Sequence, residues 1–218
     1  MLNVIIPYRD RAEHLAIFVP YLSAYLDISN IVHRIYVIEQ GGGWRPFNRG
    51  ALLNAGYKIA QEFDTARVRW FAFHDVDMLP ITANYSYSEV PTHLVTDASQ
   101  FPEGVPYESY FGGVTLFNAK DFEDVNGYSN GFWGWGSEDD DMLRRCQQSG
   151  LNTVRREGGV FRSLQHERAI DIDLATANYE RLTRGTDNTR DGLSTLDFEV
   201  IGEPILGPDI YKFTIELL

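Results

Sequence analysis

The sequence predicts an α/β fold, a single Rossmann-like domain built on a mainly parallel central sheet. Three short apolar runs in the first third of the chain, at 3–7, 31–38 and 68–73, are typical of buried strands. Segments with helical spacing of apolar residues separate them, and strands that alternate with helices form parallel sheets with right-handed crossovers. The 218 residues show no break in composition, so we expect one domain.

The first elements, taken in order, place polar residues at strand ends. The strand Asn3–Pro7 leads into a helix over His14–Leu26, and the strand Ile31–Ile38 leads into a helix that Asn48 can cap. Val68–Phe73 forms the third strand. Ligands of such folds bind beyond the carboxyl ends of the strands. We therefore expect the following residues along one rim of the sheet: Arg9, Arg11, Glu39, Asp75 and Asp77.

The rest of the chain is more polar and predicts shorter elements. We expect strands over 93–96, 107–117, 153–161, 197–201 and 211–217, and a helix over 119–125. Gly112 and Gly113 indicate a bulge or a close backbone approach within the 107–117 strand. The segment 162–188 indicates a loop, and we expect mobile loops near 130–137 and 162–188.

A Trp-Gly-Trp-Gly run precedes Ser137 and four consecutive carboxylates, Glu138 to Asp141. Ser137 followed by Asp140 predicts a helix N-cap with a partial capping box, so that the acids occupy the first turn of a helix. The alternative is that the acids only cap a surface helix, but one or two acids would suffice for that. We interpret them as carboxylates presented to a sugar or a metal, with one acid able to deprotonate a hydroxyl nucleophile.

Asp75-Val76-Asp77 follows the third predicted strand. In an extended segment the two carboxylates point the same way, so both can face one cation or one ribose-phosphate group. The alternative is a pair of turn-forming aspartates. His166 is either a structural residue or a ligand. Three arginines flank strand ends or a helix start, where a diphosphate would be held: Arg9, Arg11 and Arg49.

Composition excludes several classes of function. A formal net charge of −12 and a pI of about 4.8 argue against non-specific binding of nucleic acid or of anionic membranes. The single cysteine, Cys146, excludes an intramolecular disulfide. No apolar run approaches the roughly 18 residues of a membrane span, and Met1 is not followed by a leader-like segment. We expect a soluble, cytoplasmic protein.

Five motifs occur in a characteristic order: Ile6–Arg11, Phe47–Arg49, Asp75–Asp77, Tyr110–Val114 and Trp133–Asp141. In this order and spacing the chain resembles the β-1,4-galactosyltransferases over nearly its whole length. The resemblance implies a GT-A type glycosyltransferase fold, without the membrane anchor of Golgi relatives. It implies a nucleotide-sugar-binding part over 1–80 and an acceptor and catalytic part over 81–218. It also implies inverting, metal-dependent transfer of galactose from UDP-galactose to a GlcNAc, xylose or glucose terminus in β-1,4 linkage.

The resemblance assigns a role to individual positions. Asp139 matches the catalytic base, and Glu138 and Asp140 would position donor and acceptor hydroxyls. Asp77 and His166 would bind the divalent cation, Mn²⁺ in the first place and Mg²⁺ as the alternative. The donor-binding residues implied are Arg9, Arg11, Phe47, Arg49, Asp75, Asp77, Tyr110, Gly113 and Trp135. The acceptor-binding residues implied are Tyr107, Asp139, Asp140 and Arg181.

Some positions depart from the family pattern or leave alternatives open. Ser163 stands where relatives carry a methionine metal ligand, and the harder site that results favours Mg²⁺ more than in those relatives. Ser137 stands where they carry glycine. Tyr110 favours UDP-galactose over the N-acetylated donor. The alternatives are the same mechanism with another UDP-sugar, such as UDP-GalNAc, or a non-catalytic protein that binds a glycan or a nucleotide sugar.

Overall fold

A computed structural model describes residues 1–63, 69–166 and 170–218. The helices within these ranges are α1 (Ala12–Ile28), α2 (Arg49–Phe63), α3 (Ala119–Asp124), α4 (Glu138–Gln148) and α5 (Ile172–Arg184). The strands are β1 (Leu2–Tyr8), β2 (His33–Gln40), β3 (Trp70–His74), β4 (Met78–Thr82), β5 (Thr92–His93), β6 (Asp97–Ala98), β7 (Val114–Asn118), β8 (Val154–Arg155), β9 (Val160–Ser163), β10 (Phe198–Leu206) and β11 (Ile210–Leu217). None of the described helices is long and apolar enough to cross a membrane.

The central sheet has the strand order β10-β11-β2-β1-β3-β7-β5-β8. Its middle strands, β11, β2, β1 and β3, run parallel, while β7 pairs with β3 in the antiparallel sense. Along β1 the side chains alternate, with Ile5 in the cluster under α2 and Val4 and Ile6 in the cluster under α1. Because helices cover both faces, this strand is buried throughout and its sequence is continuously apolar. The predicted mainly parallel α/β sheet is confirmed.

Strand ends bring the candidate residues to one rim. Arg9 follows β1 and Asp75 follows β3, and these two strands are parallel neighbours. Asn48 caps α2 as predicted, since its Oδ1 accepts from the Ala51 amide at 2.9 Å. A smaller sheet, β4-β9-β6, pairs the strand after Asp77 with the strand before His166. Asp77 and His166, which are far apart in sequence, therefore lie at the same end of the β4–β9 strand pair.

Two predictions of local structure were wrong. The predicted strand over 107–117 begins only at Val114, and residues 107–113 form turns that end on Gly113 with φ of +77°, which an extended strand does not accommodate. The predicted loop over 162–188 contains α5, which Asp171 caps by accepting from two backbone amides. Asn178 is the buried residue of this helix, and Leu174, Ala175 and Leu182 lie half-buried on the same face. This helical spacing was present in the sequence, and the polar composition of the segment concealed it. Motion of the segments near 130–137 and 162–188 stays a prediction, and residues 167–169 lie outside the described ranges.

Candidate active site

One arginine joins three separate segments of the chain. Arg49 opens α2, and its Nε donates to Asp75 Oδ1 at 2.6 Å while its Nη1 donates to Asp139 Oδ1 at 2.8 Å. Glu138 Oε1 lies 3.7 Å from the same Nη1. Burial by itself would lower the pKa of Arg49, but the carboxylates of Asp75, Asp139 and Glu138 outweigh it and raise the pKa well above its usual value. The structure thus brings a donor-binding candidate, Asp75, to the catalytic candidates.

Asp139 has the electrostatic properties of a proton acceptor. Burial raises the pKa of its carboxyl group well above the ordinary value, and the charge of Arg49 acts in the opposite direction. Burial also raises the pKa of Glu138. The side chain of Asp139 is 21% exposed, so a substrate can reach it. A carboxylate whose pKa lies closer to neutrality accepts a proton more effectively at neutral pH.

The tyrosine loop, residues Tyr107–Gly113, lies against these acids. The Tyr107 hydroxyl donates to Asp140 Oδ1 at 2.9 Å, which links the loop to the first turn of α4. The Gly113 carbonyl accepts from the Asp75 amide at 3.0 Å. A Cβ atom on Gly112 would overlap with Asp139 Oδ2 and would lie 2.7 Å from the Tyr110 hydroxyl. Gly112 therefore lies close against the side chain of the candidate base.

We expect Gly112→Ala to lower turnover by about 100-fold, because the added methyl group would displace the Asp139 carboxylate or the Tyr110 ring. The measurement is the steady-state rate of UDP release, with circular dichroism as a check of folding. Gly43→Ala is the matched control, since its Cβ would meet nothing within 4 Å. Activity within about twofold of wild type for Gly112→Ala would contradict the observed contact.

The donor-side residues of the first strand end lie beside the loop before α2. The Arg9 guanidinium carbon is 5.4 Å from the centre of the Phe47 ring, and Nη1 of Arg9 donates to the Arg45 carbonyl at 2.8 Å. Arg11 occupies the N-cap position of α1, and its side chain does not cap that helix. The Phe47 carbonyl accepts from the Gly134 amide at 2.7 Å. Phe47 therefore connects the candidate diphosphate residues with the Trp-Gly-Trp-Gly segment.

Asp77 and His166 face each other as a candidate metal pair. His166 Nε2 lies 3.0 Å from Asp77 Oδ2. The Asp75-Val76-Asp77 tripeptide forms a turn rather than the extended segment that was predicted, and its two carboxylates have different partners. Burial, followed by the nearby charge of Asp75, raises the pKa of Asp77, and His166 opposes both effects. A carboxylate oxygen and an imidazole nitrogen that lie 3.0 Å apart could both bind one divalent cation, such as Mn²⁺ or Mg²⁺.

The two candidate ligands do not complete a coordination sphere from side chains alone. Within the described ranges, no group of three or more His, Cys, Asp or Glu residues is placed to hold a metal. Ser163, which the family resemblance places at a methionine position, directs its hydroxyl to the Met78 thioether at 3.6 Å. Divalent cations in nucleotide sites commonly take few protein ligands and complete their shell with phosphate oxygens and water. Asp77 and His166 fit that pattern.

The tryptophan loop, residues Gly131–Ser137, is held by α5. The side-chain amide of Asn178 donates to the carbonyls of Trp133, at 2.9 Å, and Trp135, at 3.2 Å. The Trp135 ring itself is 54% exposed. Arg181, a predicted acceptor-binding residue, packs on Phe132 of this loop, with its guanidinium carbon 5.7 Å from the ring centre. These contacts position an exposed indole near the acids, as a stacking surface for a sugar requires.

The helix that carries the acids differs from its prediction in two ways. Ser137 makes no capping hydrogen bond and adopts φ of +76°, a conformation that favours glycine. The predicted capping box is therefore wrong. The second difference is that Asp141 does not face the site. It is fully buried and accepts hydrogen bonds from Arg145 Nε and from Thr186 Oγ1, both at 2.7 Å. Of the four acids, three line the site and the fourth supports the fold.

The sequence did not predict the roles of Arg145 and Asp191, which bind the backbone of segments next to the site. Arg145 is fully buried and donates to the carbonyls of Gly127, at 3.1 Å, and Asp191, at 2.7 Å. The Asp191 carboxylate accepts from the Ser129 hydroxyl and from the Asn130 amide, which precede the tryptophan loop. The i,i+4 spacing of Asp141 and Arg145 was a signal for this ion pair. Its burial and its link to Asp191 depend on tertiary structure.

Two protein-family models match this chain. A family model described as the N-terminal region of glycosyl transferase group 7 matches residues 1–89. A second model, described as the N-terminal domain of galactosyltransferase, matches residues 92–167. Together the two models cover most of the chain, including the residues around Arg49, Asp75, Tyr110 and Asp139.

Individual relatives extend the match to both ends of the chain. Rat β-1,4-galactosyltransferase 6 is 41% identical over 177 residues, which are 78% of this chain and 45% of the relative. Bovine β-1,4-galactosyltransferase 1 is 34% identical over 220 residues, 98% of this chain and 54% of the relative. The chain thus spans about half the length of the curated relatives it matches.

Solved structures match the whole fold. The catalytic domain of Drosophila β-1,4-galactosyltransferase 7 in complex with xylobiose superposes with a TM-score of 0.84 and 28% identity, and covers 100% of this chain and 94% of that chain. A mutant of the same Drosophila protein, solved with manganese, UDP-galactose and xylobiose, gives the same TM-score, identity and coverage.

Proposed function

This chain belongs to the β-1,4-galactosyltransferase family and has its GT-A type fold, and we propose that it transfers galactose from UDP-galactose to a sugar hydroxyl. The observation that carries the proposal is the position of Arg49, whose guanidinium contacts Asp75 and Asp139 together. Residues 1–80 supply the donor side of this arrangement, and residues 81–218 supply the acids and the two loops around them. The linkage proposed is β-1,4, with inversion at the anomeric carbon.

The residues support a single displacement. Asp139 takes the proton from the acceptor hydroxyl while the hydroxyl oxygen bonds to C1 of galactose on the face opposite UDP. The bond between C1 and the diphosphate oxygen breaks, and its electron pair leaves with UDP. Arg9 and Arg11 hold the diphosphate, and Arg49 keeps the Asp139 carboxylate directed at the acceptor. Trp135 and the exposed face of Tyr107 offer aromatic surface for the sugars.

Asp77 and His166 would hold the divalent cation. When bound, the cation supplies positive charge that offsets the negative charge on the departing diphosphate. The Drosophila neighbour was solved with manganese, which supports Mn²⁺ as the first cation to test. The absence of a thioether at Ser163 supports Mg²⁺ as the second.

The proposal is tested by measuring UDP release from UDP-galactose and from UDP-GalNAc, with xylose, xylobiose, GlcNAc and glucose as acceptors. Xylobiose is included because the Drosophila neighbours were solved with it. We expect acceptor-dependent release with UDP-galactose and a slower reaction with UDP-GalNAc, because the family resemblance gives Tyr110 a role in donor choice. Its hydroxyl and the Asp139 carboxylate both lie beside Gly112. Product linkage is then read by NMR. UDP-galactose that binds without release for any sugar would overturn the proposal in favour of a binding protein.

Chelation should abolish transfer, and either Mn²⁺ or Mg²⁺ should restore it. We expect His166→Ala to raise the cation concentration for half-maximal activity by at least about 10-fold, since it removes one of two protein ligands. Binding of Mn²⁺, followed by electron paramagnetic resonance, provides a readout independent of turnover. Unchanged Mn²⁺ affinity in His166→Ala, or failure of both cations to restore activity, would contradict this site. Asp97→Asn, an exposed change on β6, serves as the control.

A further inference from the structure

Two side chains outside the candidate active site hold the tyrosine loop from behind. His93 on β5 and Arg155 on β8 are aligned neighbours on parallel strands. Arg155 Nη2 donates to the carbonyls of Glu108, at 2.9 Å, and Tyr110, at 2.7 Å. His93 Nε2 lies 2.8 Å from the carbonyl of Gly112. Three carbonyl groups of one loop are therefore bound by two side chains of the central sheet.

The hydrogen bonds determine which ring nitrogen of His93 carries the proton. Arg155 Nε lies 3.0 Å from His93 Nδ1, and because a guanidinium can only donate, Nδ1 must accept. The proton is then on Nε2, where it donates to the Gly112 carbonyl. Burial, with a smaller contribution from the charge of Arg155, lowers the pKa of His93 to about 4, although the hydrogen bond to the Gly112 carbonyl acts in the opposite direction. The ring is therefore neutral under the conditions of a transfer assay.

The same two residues determine where the donor-sugar residues lie. The rings of His93 and Tyr110 meet edge to face with centroids 5.4 Å apart. Gly112, whose carbonyl His93 binds, lies in contact with the Asp139 carboxylate. A shift of the loop by a fraction of an ångström would thus move both Tyr110 and the neighbour of the candidate base.

We propose that His93 and Arg155 are positioning residues that fix the tyrosine loop and so determine affinity and selectivity for the donor sugar. The proposal rests on the function proposed above. Neither residue touches the substrate, and both act through the backbone of residues 108–112. Loss of either side chain should weaken donor binding and reduce the selectivity for UDP-galactose over UDP-GalNAc, because Tyr110 is then no longer held in a single position.

The chain offers a matched control for Arg155. The adjacent Arg156 also donates to two loop carbonyls, those of Asn84 and Ser86, at 2.7 and 2.9 Å, and its hydrogen bonds go to that loop rather than to the tyrosine loop. We expect Arg155→Lys to raise the KM for UDP-galactose by about 10-fold and to reduce the preference for UDP-galactose over UDP-GalNAc. A lysine ammonium cannot reproduce the hydrogen bonds that the guanidinium donates to His93 and to the two loop carbonyls. Arg156→Lys should leave both within about twofold. Equal effects of the two substitutions would overturn the proposal.

Two His93 variants separate position from packing. His93→Phe keeps the ring but loses both hydrogen bonds, whereas His93→Gln keeps a donor and an acceptor. We expect a KM for UDP-galactose about 10-fold higher in His93→Phe than in His93→Gln, at similar melting temperatures. If His93→Phe matches the wild type in donor KM and selectivity, the residue is only structural and the proposal fails.

A measurement on the resting protein tests the geometry independently of transfer. Long-range ¹H–¹⁵N NMR spectra of the full chain should show His93 as the neutral tautomer protonated at Nε2. A ring protonated at Nδ1, or charged at neutral pH, would overturn the proposal. Wild-type protein that releases no UDP would instead overturn the proposed function. Calorimetric affinity for UDP-galactose then replaces KM, and the same order among the variants is expected.

Discussion

Replacing Asp139 by asparagine should lower the rate of galactose transfer by about 10²–10⁴-fold, because the amide cannot take the proton from the acceptor hydroxyl. The substitution keeps the shape of the side chain, and an amide oxygen still accepts the hydrogen bond that Arg49 donates at 2.8 Å. The effect should therefore appear in kcat, with little change in the KM for UDP-galactose. The measurement is steady-state UDP release with the preferred acceptor.

The control for this variant is Asp97→Asn, which makes the same chemical change at an exposed position on β6. Wild-type activity should also fall as pH falls, since the base works only when it is unprotonated. Burial raises the pKa of Asp139, so this loss should begin at a higher pH than the value of about 3.9 typical of aspartate would allow. Asp139→Asn with more than about a tenth of wild-type kcat would exclude Asp139 as the base.

Replacing Arg49 by methionine should have the second largest effect, because it removes the cation that three carboxylates share. The nearest two, Asp75 and Asp139, lie at 2.6 and 2.8 Å. We expect transfer to fall by about 100-fold or more. Unfolding free energy should fall by at most about 3 kcal/mol, since the Asp75 side chain is 31% exposed and solvent screens part of the lost attraction.

The pH profile distinguishes this role from a general loss of structure. The charge of Arg49 lowers the pKa of Asp139, so its removal raises that pKa. The acid limb of log(kcat/KM) should therefore move to higher pH in Arg49→Met, with partial recovery of rate in alkaline buffer. Lys120→Met removes one positive charge from an exposed position and should leave the limb unchanged. A limb that stays in place in Arg49→Met would show that the two residues are not coupled in solution.

Much of the site could be predicted because its residues follow strand and helix ends. Arg9 follows β1, Asp75 follows β3 and Arg49 opens α2, and in a parallel sheet these ends lie at one edge. Apolar runs predicted those elements, since strands covered on both faces are continuously apolar. Asp77 and His166 were assigned by family resemblance, and the pairing of β4 with β9 places them 3.0 Å apart.

Other features were not predicted from the sequence. The polar composition of α5 indicated a loop, although Leu174, Asn178 and Leu182 have helical spacing. Asn178 and Arg181 hold the tryptophan loop from this helix. Asp141 has the same chemistry as its three neighbours, and only its burial against Arg145 separates it from them. Ser137 reads as a cap, yet its left-handed backbone prevents capping. In each case the outcome depends on what lies opposite the residue in space.

The sequence by itself determined the fold class, the parallel sheet and the family, because apolar periodicity and motif order are local properties of the chain. Only the tertiary structure decided that Arg49 joins Asp75 to Asp139, and that His93 and Arg155 fix the loop beside them. These contacts join residues 19 to 90 positions apart. Hydrogen bonds and buried charges act over a few ångströms, so their partners are known only once the chain has folded.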